Sequence, residues 1–373
     1  MNTPCSGLRE ALKHCLERRL TFAAFRIAGQ AVQLLVQRTS KVHHVGTTEL
    51  DTLRNVFVIA PFAHTQRTIL VLQPDERLSF HADTGPIELT FPESAPGEPY
   101  PPKALDGPMD QAAYARMVNE ALMAIERGTL RKVVLSRTKD VALQAPDTAD
   151  LFIRALSDLP SAFICLARTP DHGTWLGASP ERLLRKKGEQ VEVDAIAGTM
   201  SASDAPADPS QWGRKERDEQ ALVTEQVERV LSRGGVRSVD VHGPEVLRAG
   251  NVAHLHTRLI TSGTGLSLAR LMLDLHPTPA VCGTPTDVAM TFLTAHEPHD
   301  RVLYAGAWGP WQADNGTELF VNIRCMQVFD QHVRLYVGGG ITAGSEPGHE
   351  WEETEHKAQT WERIIRAGQG RIT

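Results

Sequence analysis

Val337-Gly338-Gly339-Gly340-Ile341, followed by His349-Glu350-Trp351-Glu352-Glu353-Thr354-Glu355-His356-Lys357, is the part of this sequence on which the rest converges. Three consecutive glycines after an apolar run predict that a strand ends here, where the backbone bends sharply or comes very close to another group. From Glu350 to about Ala367, apolar residues recur at helical spacing and predict a helix. Glu350, Glu353 and Lys357 stand at i, i+3 and i+7, so two carboxylates and an ammonium share one face of that helix.

A second pair of carboxylates occurs in Lys215-Glu216-Arg217-Asp218-Glu219, at the start of another segment with a helical apolar pattern. Glu216 and Glu219 are again three residues apart. One such face is commonly a solvated surface with weak i, i+4 pairs. Two acidic faces on different helices can instead hold a hard divalent cation, because Mg²⁺ prefers oxygen ligands and keeps several waters. The spacing therefore leaves two interpretations open, surface ion pairs or a magnesium site.

Length and composition indicate a soluble globular protein. The chain has 373 residues, of which 41% are hydrophobic and 23% charged, enough for two ordinary domains or one large unit. Its formal net charge is -6 and no Lys/Arg run stands out, which argues against a nucleic-acid partner. The five cysteines form no C-x-x-C pair, so neither a disulfide framework nor a zinc site is indicated.

The N-terminal segment, residues 1–20, mixes charged residues with leucines and predicts an amphipathic helix. It lacks the uncharged apolar core of a signal peptide. No later window approaches the ~20 apolar residues that a membrane helix needs. We therefore expect a cytoplasmic protein with no membrane partner, and a monomer.

The pattern along the chain predicts an α+β fold. Short apolar runs between residues 21 and 90 predict strands of an antiparallel sheet, and the proline-rich segment 91–109 predicts a linker or a belt across the surface. Helices and strands follow without regular βα alternation. The predicted helices are at 111–127 and 149–156, the strands at 130–137, 162–166, 174–178 and 191–199, and a small-residue loop at 201–210. We expect antiparallel sheets packed together, with helices outside them.

Lys132 and Glu181 each lie at or just beyond the end of a predicted strand. A lysine desolvated against Val133 and Val134 can lose its proton near neutral pH, and a glutamate in a similar pocket can keep one. That combination is a base and an acid. The alternative is that Lys132 and Glu181 are each an ordinary ion-pair residue at the edge of a sheet.

Two histidine patterns carry little by themselves. His296-Glu297-Pro298-His299 lacks the i, i+4 histidine spacing of zinc proteases, and Pro298 disturbs the helix that such a motif requires. The segment 251–257 alternates as a strand, which predicts that His254 and His256 lie on the same side. Structural histidines are the more common explanation of such a pair.

Taken together, nine short motifs resemble the chorismate-utilising enzymes and, among them, the isochorismate synthases. In chain order they are KVVLSR (132–137), GASPE (177–181), AGT (197–199), KERDE (215–219), HPTPA (276–280), YAG (304–306), IRC (323–325), GGGI (338–341) and EWEE (350–353) with Lys357. The resemblance runs from about residue 110 to 363. It implies stacked antiparallel sheets flanked by helices, with residues 1–105 as a strand-rich part of the same fold and residues 106–373 as the chorismate-binding catalytic region.

The resemblance also implies the site. Mg²⁺ would tie the substrate's ring carboxylate to the two acidic helices, with Glu219 and Glu353 as direct ligands and Glu216 and Glu350 reaching it mainly through water. The ring carboxylate would be held by Gly198, Thr199 and Lys357. The enolpyruvyl carboxylate would be received by Arg324, Tyr304 and the backbone amide of Gly340, and His254 matches a pocket histidine. This set suits a substrate with two carboxylates. A guanidinium and a metal ion both bind carboxylates, and a backbone amide can do so where glycine lets the ligand come close.

Three positions bear on the nucleophile. Lys132 matches the lysine base of members that use water, and Ala197 stands where the aminodeoxychorismate branch has a covalent lysine. Ala280 stands where salicylate-forming relatives tend to have threonine. Two residues depart from the pattern, since Gln220 replaces a common histidine and Cys282 a common serine.

These matches imply an Mg²⁺-dependent isochorismate synthase. It would add water at C2 of chorismate with loss of the C4 hydroxyl, with Lys132 as base and Glu181 as acid, for siderophore (2,3-dihydroxybenzoate) or salicylate synthesis. The alternatives are a salicylate synthase that releases pyruvate, a menaquinone-pathway isochorismate synthase, and a catalytically silent chorismate-binding protein.

Overall fold

The computed structural model describes residues 6–63, 69–81, 109–143, 145–249, 252–312 and 315–369. The proline-rich connection predicted at 91–109 lies outside these residues except for its last position, and so does the predicted boundary between residues 105 and 106. In the described part of the chain, no helix is long and apolar enough to cross a membrane.

The described residues form eight α-helices and one short 3-10 helix. Aspartate or serine caps begin several of them: Asp110 accepts from the Ala113 amide, Asp147 from that of Asp150, and Ser267 from that of Arg270. The helices are α1 (Ser6–Glu17), α2 (Thr47–Leu50), α3 (Gln111–Glu126), α4 (Thr148–Asp158), the 3-10 helix (Pro209–Gln211), α5 (Arg214–Arg233), α6 (Leu268–Leu275), α7 (Thr286–His296) and α8 (Pro347–Gln369).

Eighteen described strands build two antiparallel sheets. The strands are β1 (Thr21–Arg26), β2 (Val32–Gln37), β3 (His43–Val45), β4 (Val56–Ala60), β5 (Ile69–Leu72), β6 (Glu76–Phe80), β7 (Lys132–Ala142), β8 (Phe163–Thr169), β9 (Gly173–Ser179), β10 (Arg182–Lys187), β11 (Gln190–Ser201), β12 (Asp240–Ala249), β13 (Val252–Ser262), β14 (Gly283–Thr284), β15 (Ala307–Trp311), β16 (Asn315–Val321), β17 (Cys325–Val328) and β18 (His332–Ile341). The first sheet has the order β14-β7-β18-β17-β9-β8-β1-β2-β6, and the second has the order β12-β13-β11-β10-β16-β15-β4-β5-β3.

The core lies on both faces of the first sheet. On β1, Ala23 and Phe25 belong to the cluster shared with the second sheet, whereas Phe22 and Ala24 pack with α1, α4 and α8 on the other face. The rings of Phe163 on β8 and Phe320 on β16 stack with centroids 4.1 Å apart. Burying one such phenylalanine contributes about 1.5 to 3 kcal/mol. The predicted α+β class, with packed antiparallel sheets and helices outside them, is confirmed.

The triple glycine differs from its prediction. β18 does not end at Gly338 but continues to Ile341, with Gly338, Gly339 and Gly340 paired to β7. The prediction of close approach is right, however, because a Cβ on Gly338 would lie 2.7 Å from both the Leu135 carbonyl and the Tyr304 hydroxyl. The glycines therefore leave room for neighbouring side chains and do not break the strand.

The loop predicted at 201–210 is shorter than expected. β11 runs to Ser201, and the 3-10 helix begins at Pro209. The guanidinium of Arg248 on β12 donates to the carbonyls of Ala202 and Ala205. These bonds anchor the connection to β12.

Candidate active site

One cavity gathers residues that are far apart in the sequence. Its wall includes most of the predicted site residues, namely Lys132, Glu181, Gly198, Thr199, Glu219, His254, Tyr304, Arg324, Gly340, Glu353 and Lys357. Glu216 and Glu350 are not on this wall. The wall is therefore built by both sheets together with α5 and α8.

The glycines of β18 let charged side chains approach from both faces of one strand. A Cβ on Gly340 would lie 3.0 Å from Cε of Lys132 and 3.3 Å from Oε2 of Glu219. A Cβ on Gly339 would lie 3.2 Å from Oε2 of Glu350. Successive side chains of a strand point to opposite faces. Because Gly339 and Gly340 have no side chains, the charged groups on the two faces can approach the backbone of β18 closely.

Lys132 begins β7 and is buried, with 2% of its side chain exposed. Its Nζ lies 3.7 Å from Oε2 of Glu219, which is also buried. Burial raises the pKa of Glu219, although the Lys132 and Lys215 ammonium groups oppose the rise. The sequence-based expectation of a lysine desolvated against an apolar strand agrees with this burial.

Glu181 follows the end of β9 and is buried at 4% exposure. Burial raises the pKa of this carboxyl to about 8, against the opposing charge of Lys132. Its backbone is held at both ends, because its amide donates to Oγ of Ser179 and its carbonyl accepts from Val321. Glu181 therefore carries a proton at neutral pH, which is the state that a general acid needs.

The carboxylates of α8 are each paired with a lysine. Nζ of Lys357 lies 2.6 Å from Oε1 of Glu353 and also donates to the Gly338 carbonyl at 2.7 Å. Although burial opposes it, the Lys357 ammonium holds the pKa of Glu353 below its usual value. Oε1 of Glu350 accepts from Lys215 of α5 at 2.6 Å, while burial and the charge of Glu353 raise the pKa of Glu350.

The donor chemistry suits a hard cation, although no ready-made cage exists. Glu219, Glu350 and Glu353 supply oxygen ligands from two helices, and the buried Oε2 of Glu350 has no hydrogen-bond partner. Within the described ranges, no group of three or more His, Cys, Asp or Glu side chains is assembled closely enough to hold a metal ion. Mg²⁺ needs only one or two protein carboxylates when substrate oxygens and waters complete its shell, so these residues fit that ion.

Glu216 is not brought to the cavity. Its carboxylate lies over Gly213 at the start of α5, and its backbone carbonyl is 2.7 Å from where a Cβ on Gly198 would stand. The expectation that Glu216 and Glu219 point together into one site is therefore not met: Glu219 is buried on the cavity wall, whereas Glu216 is half-buried at the start of α5.

Arg324 is a buried cation on the cavity wall. Among the described residues, none forms an ion pair with its guanidinium, and burial lowers its pKa to about 10. Its φ of 49° is left-handed, a conformation that costs a non-glycine residue about 1 to 3 kcal/mol. Its carbonyl accepts from Trp361 at 2.7 Å and from the Ala178 amide at 2.9 Å, which holds the backbone in this conformation. The arrangement presents to a ligand a guanidinium that has no close ion pair and is offset only by the more distant charge of Glu353.

Another part of the cavity wall is a bulge of β11 around Gly198. The register between β11 and β13 shifts from Ala197 to Thr199, and Gly198 has a φ of 68°. Oγ1 of Thr199 lies 3.1 Å from Nδ1 of His254. Burial lowers the pKa of His254 well below its usual value, so the ring is neutral. His256, two residues further along β13, contacts Asp194 at 3.0 Å instead of the cavity.

Gln220, which departs from the family pattern, supports this bulge. Its side-chain amide accepts from the Ala197 amide at 2.8 Å and donates to the Ala195 carbonyl at 2.9 Å and to Oγ1 of Thr257 at 3.0 Å. The buried amide thus ties α5 to both strands of the bulge.

Sequence reasoning missed several residues of the wall. Tyr336 lines the cavity and lies on β18, two residues before Gly338 and four before Gly340. Residues two apart on a strand share a face, so this spacing was a signal that could have placed Tyr336 on the wall. Val281 and Ile323 also line the cavity, and their short-range patterns carry no signal for that position. The motif 296–299, set aside as a zinc site, instead supplies Glu297, whose carboxylate binds Arg301 at 2.6 Å and the Ser136 amide at 2.7 Å.

Comparison with known proteins agrees with this arrangement. Isochorismate synthase DhbC of Bacillus subtilis (strain 168) is 33% identical over 324 residues, covering 82% of this chain and 79% of that protein. Isochorismate synthase MenF of Escherichia coli (strain K12) is 32% identical over 256 residues, covering 67% of this chain and 59% of that protein. A crystal structure from Bacillus anthracis, described as a 2,3-dihydroxybenzoate-specific isochorismate synthase, DhbC, superposes with a TM-score of 0.76 at 26% identity, covering 96% of this chain and 99% of that one.

The family assignment rests on the largest part of the chain. Residues 89–366 match the family described as chorismate binding enzyme, a range that contains every residue of the cavity wall. This chain is therefore a member of the chorismate-binding enzyme family.

Proposed function

We propose that this protein is an Mg²⁺-dependent isochorismate synthase, which converts chorismate to isochorismate. The observation that carries the proposal is the pair formed by Lys132 and Glu181, a buried amine and a buried protonated acid on the wall of one cavity. Membership of the family and the names of the similar proteins support chorismate as the substrate.

The two carboxylates of chorismate match two groups of residues. Arg324, the hydroxyl of Tyr304 and the amide of Gly340 are proposed to bind the enolpyruvyl carboxylate, because an unpaired guanidinium gains most from a bidentate anion. Gly198, Thr199 and Lys357 are proposed to bind the ring carboxylate. The neutral ring of His254, hydrogen-bonded to Thr199, lines this part of the cavity.

Lys132 is proposed to act as the base that removes a proton from a water molecule as the oxygen of that water adds to ring C2. The double bonds of the ring shift, and the bond from C4 to its hydroxyl oxygen breaks. Glu181 gives its proton to that departing hydroxyl, which leaves as water. One water enters and one leaves, so the product is an isomer of the substrate.

Glu219 and Glu353 would hold Mg²⁺ directly, with Glu350 acting through water; Glu216, which lies away from the cavity, is left out of this set. The ion would fix and polarise the ring carboxylate. Lys132, Lys357 and Lys215 pair with Glu219, Glu353 and Glu350 and oppose the effect of burial on the pKa of each carboxyl, which supports the assignment of this side of the cavity to a cation.

The test is incubation of the purified protein with chorismate and MgCl₂, followed by chromatography and mass detection. We expect a new compound of the same mass as chorismate. Bound chorismate without any new compound would instead support a catalytically silent binding protein and would reject the proposal.

The same assay separates an isochorismate synthase from a salicylate synthase. Ala280 lines the cavity and brings no hydroxyl to it, so we expect no stoichiometric pyruvate. Release of one pyruvate per chorismate consumed would favour the salicylate synthase. The 2,3-dihydroxybenzoate-specific name of the similar Bacillus anthracis protein supports siderophore synthesis as the destination of the product, and the similarity to MenF keeps the menaquinone pathway as the alternative.

A further inference from the structure

Lys215 lies in the first turn of α5, beside the carboxylates but off the cavity wall. Its Nζ is 2.6 Å from Oε1 of Glu350 on α8 and 4.0 Å from Oε1 of Glu219 on its own helix. Among the described residues it is the only cation within 4.0 Å of Glu350. One ammonium therefore links the two acidic helices.

Glu350 is unusual among these carboxylates because its two oxygens are held differently. The residue is 1% exposed, Oε1 accepts from Lys215, and the Ser345 hydroxyl lies close enough to lower the carboxyl pKa, but no hydrogen bond of good geometry reaches the buried Oε2. That oxygen lies 3.2 Å from the position of a Cβ on Gly339, next to Oε1 of Glu353 at 3.7 Å from the same point. A buried carboxylate oxygen without a partner is costly, and a cation is the ligand that would satisfy it.

We propose that Lys215 is a built-in competitor of the divalent cation: in the metal-free protein its ammonium takes the place of the ion beside Glu350 and holds α5 against α8. This inference rests on the proposed function, since it assumes that Mg²⁺ binds between these helices. An ammonium and Mg²⁺ seek the same carboxylate oxygens, and a unit charge a few ångström away repels the arriving ion. Lys215 thus sets how tightly the metal binds, without touching the substrate.

The experiment is a calorimetric titration of the substrate-free protein with MgCl₂. The variants are Lys215→Met, which removes the charge, and Lys215→Arg, which keeps it. We expect Lys215→Met to bind Mg²⁺ roughly 10- to 100-fold more tightly than the wild type. Lys215→Arg should stay close to the wild type.

Arg214→Met is the matched control. Arg214 is the preceding residue of α5, its side chain is 91% exposed, and its nearest acidic partner is Asp218 at 3.5 Å. The substitution removes the same formal charge from the same helical turn without touching Glu350. Equal tightening in Arg214→Met and Lys215→Met would overturn the inference, because the effect would then be that of net charge.

Thermal unfolding provides a readout that does not depend on catalysis. In EDTA, Lys215→Met should melt below the wild type, because it leaves Glu350 buried without a partner. Saturating MgCl₂ should raise its melting temperature more than that of the wild type, since tighter binding stabilises more. If Lys215→Met does not fold, Lys215→Gln, which keeps a donor and loses the charge, takes its place.

The outcomes separate this inference from the function it rests on. If Lys215→Met binds Mg²⁺ with unchanged or lower affinity than the wild type, the proposed role of Lys215 is overturned. The proposed reaction is not affected by that result. A wild-type protein that forms the chorismate isomer in EDTA, and shows no Mg²⁺ binding, overturns the metal and this inference together.

Discussion

The two groups of charged residues on this cavity deal with burial in different ways. Each carboxylate on the side of α5 and α8 has a lysine beside it: Glu219 has Lys132, Glu353 has Lys357 and Glu350 has Lys215. Arg324 is as deeply buried and has no ion pair among the described residues. The compensated side can stay folded without its ligand, whereas the guanidinium, which only the more distant charge of Glu353 offsets, gains a close partner when an anion binds.

Glu181 follows neither pattern. Its carboxyl is buried, the nearby charge of Lys132 does not offset the desolvation, and the group remains protonated up to about pH 8. A buried carboxyl can therefore be neutralised by a lysine or by its own proton. This difference is what we expect if the first kind of carboxyl holds a cation and the second transfers a proton, as proposed above.

The largest expected effect is on the chemical step. Lys132→Ala and Glu181→Gln should each lower kcat by about 10²- to 10⁴-fold, because each removes one proton-transfer partner. Chorismate binding, measured by calorimetry, should remain detectable. The exposed pair Lys187→Ala and Glu228→Gln are controls that should keep wild-type turnover, and a fully active Lys132→Ala or Glu181→Gln would remove the assigned roles.

Arg324→Met tests the uncompensated side. It should lower kcat/KM by roughly 100- to 1000-fold, because the enolpyruvyl carboxylate loses its charged partner. The free energy of unfolding in the absence of substrate should rise by about 1 to 2 kcal/mol, since an unpaired buried charge is removed. A loss of stability would show that the guanidinium has partners in solution and would break the contrast between the two groups.

The proton on Glu181 should appear in the pH dependence of stability. Its folded pKa of about 8 lies above the unfolded value, so protonation stabilises the fold fully below pH 4 and this contribution is lost as pH rises toward and beyond 8. Glu181→Gln removes the titration and should become more stable than the wild type by roughly 5 kcal/mol near pH 9, with the difference vanishing near pH 4. Denaturant unfolding at a series of pH values measures it.

In that series, Glu228→Gln is the control, because Glu228 is exposed on α5. Its stability relative to the wild type should not change with pH. A flat difference for Glu181→Gln as well would mean that the carboxyl is ionised in the folded protein.

Glu219→Ala tests the compensated side and should have the smallest effect of these changes. Loss of one carboxylate should weaken Mg²⁺ binding about tenfold or more in a titration of the metal-free protein. Asp218→Ala, at an adjacent position that is 67% exposed, should leave the affinity within a factor of about two, as expected for a screened surface charge. Equal affinities of Glu219→Ala and the wild type would contradict a metal site on this side.

Periodicity alone predicted the elements that carry the site. α8 extends from residue 347 to 369, against a predicted 350 to 367, because its apolar residues repeat at helical spacing. The same local rule failed at the triple glycine, where β18 continues since its partner β7 supplies hydrogen bonds that no local pattern reveals. In the first ninety residues the apolar runs at 22–27, 31–36, 56–60 and 68–72 predicted β1, β2, β4 and β5. The short strands β3 and β6 have no such run and were missed, because pairing with β5 and β2 defines them.

Sequence by itself determined the α+β class, the acidic faces of two helices and, through ordered motifs, membership of a family. These follow from rules that act within a few residues, or from a pattern shared along the chain. Tertiary structure alone decided that Glu219 faces the cavity while Glu216 does not, that Lys215 bridges two helices, and that Arg324 stays unpaired. Such outcomes depend on which distant surfaces exclude water together, and burial, not spacing, sets the cost of each charge.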